Sequence, residues 1–307
     1  MSKPDPRAAA EAVARVRLRR VLGEAGLARY ADDAVLVRLG PNATFRVGAD
    51  LEILARIADP GKLAEGAAKT VGLDRWFAER AAKTVRLGRW FAEVDAPTIR
   101  LAPGYSAPIL FTEDDKVLAA SLWQYVQPVD RAVTGEEMAA ALKEFHSLSG
   151  RLPEDRLELP TFNAFNDIEA RLKRAGEKGS ITETDFDFLM DRSAGLRMEL
   201  ANSSVKGDLD LCHGDAQMNN LIIGQNGRAL WCDFDATELG SFKYDLACIA
   251  TAHNRFGESK DDPTPFNTAY GFDIVSDEAV QVLAKIRELK TISAAPPRFP
   301  QHPAIHE

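Results

Sequence analysis

After a helically spaced segment at 8–30, the hydrophobic pattern shows short apolar runs up to residue 126 and mainly helically spaced apolar positions from residue 136 onwards. Short apolar runs bounded by turn residues are typical of strands, and they occur at 34–39, 45–47, 51–57, 109–111 and 117–126. Apolar positions three and four residues apart predict helices over 8–30, 136–146, 162–175, 183–202 and 245–254. The pattern therefore predicts mainly strands between residues 34 and 126 and mainly helices after residue 135.

Signals for the ends of these elements are present in two places. The stretch Gly40–Thr44 separates the first two strands and predicts a turn of five residues. Thr134 and Glu137 have the spacing of a capping box, in which the two residues satisfy each other's backbone N–H groups at a helix start. We therefore expect the helix over 136–146 to begin there.

Residues 66–93 contain a tandem duplication. The segment 66–79 recurs as 80–93 with eleven of fourteen positions identical. Fourteen residues make about 3.9 helical turns, so the apolar stripe nearly keeps its phase, but the repeat lengthens a continuous helix by ~21 Å. We expect one copy to lie against the sheet and the other to be displaced, or hinged at Gly72 or Gly88.

Oxygen-bearing side chains are concentrated in the segment 211–235. Asp215 and Asn220 lie five residues apart on a short loop that leads into the apolar run 221–223. A polar turn reverses the chain, and a second apolar run delivers Asp233 beside that loop. A carboxylate that orients a hydroxyl, with a carboxamide and a second carboxylate to hold Mg²⁺ against phosphates, suits metal-assisted phosphoryl transfer. The competing interpretation is a surface hairpin whose side chains cap turns.

The His-Gly-Asp run ending at Asp215, followed by Asn220 and an Asp-Phe pair that begins at Asp233, resembles the aminoglycoside phosphotransferase family. That family is related to choline kinases and protein kinases. The resemblance implies that Asp215 is the catalytic base, that Asn220 and Asp233 bind Mg²⁺, and that His213 shapes the loop. Asp245 resembles the structural Asp that braces this loop in the family. The fold implied is α+β and two-lobed like a protein kinase, with a small antiparallel-sheet N-lobe and a mostly helical C-lobe.

The same resemblance assigns ATP-binding roles within the first 126 residues of the chain. The hairpin around Asn42 would arch over the nucleotide phosphates. Arg56 stands on the strand where kinases carry a phosphate-gripping Lys, and arginine can clamp phosphates bidentately. Backbone groups around Gln124 and Val126, in an apolar strand that runs out to a Pro, would bond the adenine edge.

One departure from the family pattern concerns the partner of Arg56. The family's N-lobe helix normally supplies a Glu that pairs with the phosphate-binding cation. In this chain that position is Thr70 or Thr84, depending on which copy of the duplication is aligned. We therefore expect the positioning of Arg56 to depend on another partner.

The predicted organisation follows from these assignments. Residues 1–126 form the nucleotide-binding lobe, including the duplicated segment 66–93. Residues 127–293 form the catalytic and acceptor-binding lobe. The Pro- and His-rich stretch 294–307 is expected to be disordered.

Composition and charge narrow the function only slightly. The chain has 307 residues, 45% hydrophobic and 27% charged, and no run of the ~20 apolar residues that cross a membrane. A net charge of −8 argues against binding to nucleic acid. The same charge, and the acidic stretches at 258–262 and 273–278, are compatible with a cationic substrate. The amino-terminal residues resemble no signal peptide, so we expect a cytoplasmic protein that engages no membrane. Three cysteines match no zinc spacing, and we expect them to fill the core.

These observations favour an ATP- and Mg²⁺-dependent phosphotransferase acting on a hydroxyl of a small molecule, with an aminoglycoside or amino-alcohol as the expected acceptor. The duplicated helix and the missing Glu keep a second hypothesis open, namely a nucleotide-binding pseudokinase without transfer activity. A metal-dependent hydrolase that uses His213 is a third, although it needs more His ligands than five residues readily supply. The oligomeric state does not follow from the sequence.

Overall fold

The apolar runs before residue 127 form one antiparallel sheet of five strands. These are β1 (Val35–Leu39), β2 (Asn42–Val47), β3 (Ile53–Ala58), β4 (Ile109–Glu113) and β5 (Lys116–Gln124). Their order across the sheet is β1-β2-β3-β5-β4. All five predicted strands are confirmed, with boundaries shifted by one to three residues.

The structure is a computed structural model that describes residues 6–40, 42–48, 50–58, 73–113, 116–205, 209–256 and 263–295. Within the chain, two compact units can be distinguished. The first comprises Met1–Val129 together with Gly224–Leu230, and the second comprises Asp130–Ile223 together with Trp231–Glu307.

The two faces of the sheet are covered by different helices. Helix α1 (Pro6–Glu24) places Leu18 and Leu22 in one buried cluster with Phe45 of β2 and Ile57 of β3. Helix α2 (Leu73–Glu93) packs against β5. Because side chains alternate along a strand, the residues facing α1 and those facing α2 alternate along β3 and β5.

Strand β2 begins earlier than the turn signal predicts. We expected a turn through residue 44, but pairing with β3 starts at Asn42, which lies opposite Ala58. Ala43 is buried and continues the alternation of buried and half-buried side chains along β2. Burial of this small residue extends the ladder, so the turn is shorter than expected, and residue 41 lies outside the described residues.

The second copy of the duplication lies within the continuous helix α2, so the expected hinge at Gly88 is wrong. A Cβ at Gly88 would lie 3.0 Å from Leu101 and 3.1 Å from Trp123, because the helix backbone approaches the sheet closely at this point. The glycine therefore permits close packing rather than bending. Gly72 and the preceding part of the first copy lie outside the described residues.

The second unit contains six of the eight α-helices that the described residues form. They are α3 (Gly135–Ser147), α4 (Ala164–Glu177), α5 (Glu183–Asn202), α6 (Lys243–Thr251), α7 (Thr264–Tyr270) and α8 (Glu278–Ser293). The capping box of α3 is confirmed, since Glu137 N–H donates to Thr134 Oγ1 and Thr134 N–H donates to the Glu137 carboxylate. Helix α8 packs against α4, α5 and α6, and thus forms the centre of this unit.

Short strands carry the segment that contains the candidate site. They are β6 (Asp210–Cys212), β7 (Leu221–Ile223), β8 (Ala229–Trp231) and β9 (Glu238–Gly240). Strand β6 pairs with β9, and β7 pairs with β8 as the predicted hairpin. Cys212 and Cys248 are buried, as expected for core residues, whereas Cys232 is only partly buried, and no disulfide links the three.

Two further expectations concern the predicted tail and membrane-spanning segments. Residues 296–307, most of the predicted tail, lie outside the described residues. No helix in the described ranges combines the length and the apolar character needed to cross a membrane.

Candidate active site

Two loops lie side by side because the strands that precede and follow them are paired. The first, 213–220, connects β6 to β7, and the second, 232–237, connects β8 to β9. The backbone N–H of Cys232 donates to the Asn220 carbonyl at 2.9 Å, and His213 Nε2 lies 3.0 Å from the Cys232 carbonyl. Asp233 is the next residue, so the hairpin brings it beside the loop that carries Asn220, as predicted.

Gly214 allows these loops to approach each other closely. Its φ is +78°, in the left-handed region, and a Cβ at this position would lie 2.0 Å from the carbonyl oxygen of Ala236. Both the backbone conformation and the available space therefore require glycine. The middle position of the His-Gly-Asp run thus has a steric explanation.

The first loop is held in place by hydrogen bonds to Asp245, near the start of α6. The Asp245 carboxylate is fully buried and accepts hydrogen bonds from the backbone N–H groups of His213 (2.7 Å) and Gly214 (2.8 Å). His146 Nε2 lies 2.9 Å from the same carboxylate, and His146 Nδ1 lies 2.7 Å from the hydroxyl of Tyr270. This geometry agrees with the structural role that the resemblance implies for Asp245, and with a packed rather than a catalytic role for His146.

His213 is a buried residue whose ring lies among aromatic side chains. Its ring centroid is 5.0 Å from that of Trp231 and 5.8 Å from those of Phe145 and Phe234. Such packing fixes the loop, and it leaves the imidazole poorly placed to serve a hydrolytic metal. The described residues contain no group of three or more His, Cys, Asp or Glu side chains that could form a metal cage.

Asp215 projects from this braced loop and is held by three side chains. Its Oδ2 accepts hydrogen bonds from Gln217 Nε2 at 2.8 Å and from Asn220 Nδ2 at 2.9 Å. Its Oδ1 accepts a short hydrogen bond from Arg287 Nη2, which also makes an ion pair. The Asp215 side chain is 26% exposed, so the carboxylate is oriented and still reachable.

The electrostatic surroundings keep Asp215 ionised. Burial is the largest single influence and raises the pKa of the carboxyl group, because it disfavours the charged form. The charge and hydrogen bond of Arg287, with smaller contributions from His213 and Gln217, outweigh burial, so the pKa of Asp215 lies below its ordinary value. A carboxylate in this setting accepts a hydrogen bond from a hydroxyl at neutral pH.

Arg287 is a site residue that the sequence interpretation missed. It lies on α8, 72 residues after Asp215, and no motif surrounds it. One signal was available in the sequence. Leu283, four residues earlier on the same helical face, is buried, so Arg287 places a charge where the amphipathic pattern calls for an apolar residue.

Asn220 and Asp233 supply an oxygen-only pair of potential metal ligands. The Asn220 side chain is buried, and its amide nitrogen donates to both the backbone oxygen and Oδ2 of Asp215, which directs the amide oxygen away from them. Asp233 adopts the left-handed conformation with φ +64° and ψ +68°, which Asp tolerates better than most residues. A carboxamide oxygen and a carboxylate fit Mg²⁺, which prefers oxygen ligands and keeps several sites for water and phosphate.

The residues expected to bind phosphates share one face of the sheet in the first unit. Arg56 lies opposite Thr44 and Ser121, and Asn42 lies two positions from Thr44 on β2. Side chains two positions apart lie on the same face of a strand, so Asn42 and Arg56 both belong to the face that α2 covers. The position of Thr84 on α2 is buried, and its hydroxyl donates to the Arg80 carbonyl within the helix.

The backbone N–H groups at the end of β5 differ in whether they already donate a hydrogen bond. The N–H of Gln124 donates to the Arg100 carbonyl at 2.8 Å, and the N–H of Tyr125 donates to the Glu52 carbonyl at 2.6 Å. Across the described ranges, the backbone of Val126 makes no hydrogen bond. Of the two residues expected near adenine, Val126 is thus the one whose backbone donor is not occupied.

Solved structures with a similar fold include kinases of small molecules. A choline/ethanolamine kinase family protein from Mesorhizobium loti is 16% identical, with a TM-score of 0.58, and the match covers 95% of this chain and 88% of that chain. A choline kinase from Streptococcus pneumoniae is 14% identical over 95% and 92%, with a TM-score of 0.58. An amicoumacin kinase in complex with AMP-PNP and Ca²⁺ is 12% identical over 94% and 89%, with a TM-score of 0.64. At this identity the likeness establishes the protein-kinase-like α+β fold.

The sequence itself carries a family-level match. Among curated proteins, none matches the chain. The model of the phosphotransferase enzyme family matches residues 40–301, which is well over half of the chain and includes both loops of the site. The chain is therefore a member of the phosphotransferase enzyme family.

Proposed function

We propose that the protein transfers the γ-phosphate of ATP to a hydroxyl group of a small molecule, with Mg²⁺ as cofactor. The observation that carries this proposal is the Asp215 carboxylate, which is ionised, partly accessible and fixed by Gln217, Asn220 and Arg287. Family membership supports the same reaction class. Because phosphoryl transfer requires mainly positioning and charge neutralisation, a rigidly held carboxylate is the expected protein contribution.

Asp215 would orient the acceptor hydroxyl and accept its proton. A carboxylate offers about four lone-pair directions, and the three side-chain donors on Asp215 occupy three of them. One direction remains for the hydroxyl of the acceptor. The hydroxyl oxygen could then attack while its proton points at Asp215, without displacing any of the three donors.

Asn220 and Asp233 would hold the Mg²⁺ ion. When bound, the ion would neutralise negative charge on the phosphates of the nucleotide. The double hydrogen bond of the Asn220 amide nitrogen to Asp215 links the residue that orients the hydroxyl to a metal ligand. A change at Asn220 should therefore affect both functions.

The first unit would bind the nucleotide. Arg56, which carries a permanent positive charge, would hold the non-transferred phosphates under the β1–β2 hairpin, which includes Asn42. The N–H of Val126 would donate to the adenine edge, next to Gln124. The amicoumacin kinase of similar fold was solved with AMP-PNP, a nucleotide of the adenine class, which supports ATP as the donor.

Relatives of similar fold include choline, ethanolamine and amicoumacin kinases, so a small hydroxyl compound is the acceptor that we propose. Two of the carboxylates at 273–278 that could attract an amine-bearing acceptor make local interactions. Asp273 accepts from Ser276 and from Asn267 of α7, and Asp277 caps α8 and pairs with Lys243 at 2.8 Å. The acidic residues at 258–262 lie outside the described residues.

The proposal can be tested by measuring Mg²⁺-ATP turnover and acceptor phosphorylation over a panel of hydroxyl compounds. In Asp215→Asn we expect kcat to fall by about 10²–10⁴-fold while nucleotide binding persists, because only the proton acceptor is lost. Asp191→Asn provides a matched control, since it makes the same chemical change at an exposed position on α5 and should leave turnover unchanged.

Two results would contradict the proposal. Nucleotide binding without transfer to any member of the panel would point to a binding module. Release of phosphate from esters in the absence of ATP would point to a hydrolase. Calorimetry of nucleotide binding and phosphorus NMR of the products distinguish these results from true transfer.

A further inference from the structure

A cation lies directly against the catalytic carboxylate. Arg287 donates to Asp215 Oδ1 and is 18% exposed, so its guanidinium is mostly enclosed by the second unit. Arginine does not lose its charge in proteins. Any hydroxyl that approaches Asp215 therefore also approaches a fixed positive charge.

The neighbouring cation on the same helix has a different electrostatic setting. Lys290 lies about one turn after Arg287, and its Nζ lies 3.2 Å from the hydroxyl of the buried Tyr244. Burial lowers the pKa of the Lys290 ammonium, but Tyr244 and then Glu238 raise it by more, so the pKa lies above its ordinary value. Arg287, by contrast, contacts Asp215, the carboxylate that would accept the proton of the acceptor hydroxyl.

The guanidinium of Arg287 has more donors than Asp215 uses. A guanidinium carries five N–H donors in a planar fork, and one of its nitrogens serves the Asp215 carboxylate. The fork geometry matches a carboxylate or phosphate, which it can bind through two parallel hydrogen bonds. A molecule whose hydroxyl points at Asp215 could thus place an anionic group on the remaining donors.

We propose that Arg287 determines acceptor selectivity, and that the preferred acceptor carries an anionic oxygen group, a carboxylate or a phosphate, next to the hydroxyl that is phosphorylated. This inference rests on the proposed function. An acceptor with an anionic group close to its hydroxyl can accept hydrogen bonds from the remaining donors of the guanidinium, whereas an ammonium group cannot, because both groups only donate. Of the carboxylates that would have favoured an amine, Asp277 is already paired with Lys243.

The test compares small hydroxyl compounds that differ mainly in charge. The probes are glycerate for a carboxylate, glycerol 3-phosphate for a phosphate, glycerol for a neutral compound, and choline for a cation. In the wild type we expect kcat/KM for at least one anionic probe to exceed that for glycerol and for choline by about tenfold or more. Comparison of glycerate with glycerol 3-phosphate decides which anionic group is recognised.

The second arm uses Arg287→Gln, which removes the charge and retains a polar side chain. We expect the preference for the anionic probe to disappear through a rise in its KM, while the KM for ATP stays unchanged. Arg287→Lys should keep part of the preference, because it restores the charge without the fork. Lys285→Gln is the matched control, since it removes a charge from the exposed side of the same helix, where Lys285 pairs with Glu199.

The wild-type comparison needs no variant, so a folding defect in Arg287→Gln cannot hide the answer. Faster transfer to choline than to both anions would overturn the inference and leave the proposed function intact. An unchanged preference in a folded Arg287→Gln protein, verified by thermal unfolding and ATP binding, would overturn it as well. Absence of transfer to every probe and to the wider panel would overturn the proposed function, and the inference with it.

Discussion

The Asp245 carboxylate accepts a hydrogen bond of 2.8 Å from the backbone N–H of Gly214, thirty-one residues earlier in the chain. The same carboxylate accepts from the N–H of His213 and contacts His146, so one buried side chain links α3, α6 and the loop that carries Asp215. The position of the proposed base is thus determined by a residue that does not contact the reacting atoms.

Replacement of Asp245 by Asn should loosen this loop. An amide retains one acceptor oxygen and turns an NH₂ group towards a backbone donor, so a buried charge-assisted hydrogen bond is lost. We expect the free energy of unfolding to fall by about 2–5 kcal/mol. Urea unfolding measures this change, and Asp187→Asn, on the exposed surface of α5, is the control with an expected effect within about 0.5 kcal/mol. Equal stability of the two variants would contradict the bracing role.

Gly214→Ala should be more harmful than the same change at another left-handed glycine. Gly227 has φ +77°, close to the +78° of Gly214, but a Cβ at Gly227 meets nothing within 4 Å. Backbone strain alone should cost about 1–2 kcal/mol in Gly227→Ala. Gly214→Ala adds the collision with the Ala236 carbonyl, so we expect a loss of about 3 kcal/mol or more together with loss of transfer. Similar unfolding midpoints for the two variants would rule out the close approach of the two loops.

The pH dependence of turnover should report the Arg287–Asp215 pair. The pKa of Asp215 is held below its ordinary value, so the wild type should keep its ionised base, and its activity, to lower pH than an unpaired carboxylate would allow. Removal of the guanidinium leaves burial as the main influence, which raises the pKa. In Arg287→Gln the acidic limb of kcat/KM should therefore move to higher pH. Glycerol is the probe for this profile because its neutrality separates the effect on Asp215 from acceptor charge, and an unmoved limb would contradict the prediction.

The capping box of α3 predicts a stability difference that depends on pH. The hydrogen bond and ion pair with Arg131 and the N–H of Thr134 lower the pKa of Glu137 to about 2 from an ordinary 4.5. Because the folded-state pKa is the lower one, the stabilisation is complete above about 4.5 and is lost as the pH falls towards about 2. Glu137→Gln should thus be less stable than the wild type at neutral pH, and the gap should narrow over that range. Unfolding curves at several pH values measure it, and a gap that widens on acidification would refute the assignment.

The sequence was sufficient for the loop that carries the candidate site, since its information is local. Asp215, Asn220 and Asp233 lie within nineteen positions, and apolar strands on either side dictate the hairpin. Arg287 could not be found in this way, because its relation to Asp215 depends on how α8 packs across the second unit. A single charge on a half-buried helix face gives no indication of which group it will meet.

At Gly88 the sequence pattern suggests a feature that the structure does not contain. A glycine within a helical pattern suggests a break, since glycine is a poor helix former. In the structure the missing side chain is instead what lets α2 approach Trp123 and Leu101. Only a tertiary contact distinguishes a glycine that breaks a helix from one that permits close packing, and the local sequence pattern does not reveal that contact.

Alanine substitutions at two helical glycines should therefore have opposite effects. Gly195→Ala in α5 meets nothing within 4 Å and should stabilise the protein by about 0.5–1 kcal/mol through helix propensity. Gly88→Ala should destabilise it by about 1–3 kcal/mol, since the new methyl group overpacks the contact with Trp123. Thermal unfolding of the two variants checks the difference in sign, and stabilisation by both would show that α2 does not approach the sheet this closely.

Gly88 also decides which of two nearly identical peptides can occupy the place against the sheet. The equivalent residue of the first copy, fourteen positions earlier, is Asp74, one of the three positions at which the copies differ. A slip of the chain by one repeat would leave the buried apolar residues almost unchanged, but it would press a carboxylate against the indole of Trp123. The duplication could have allowed two registers of α2 against the sheet, and the absence of a side chain at Gly88 thus favours the observed one.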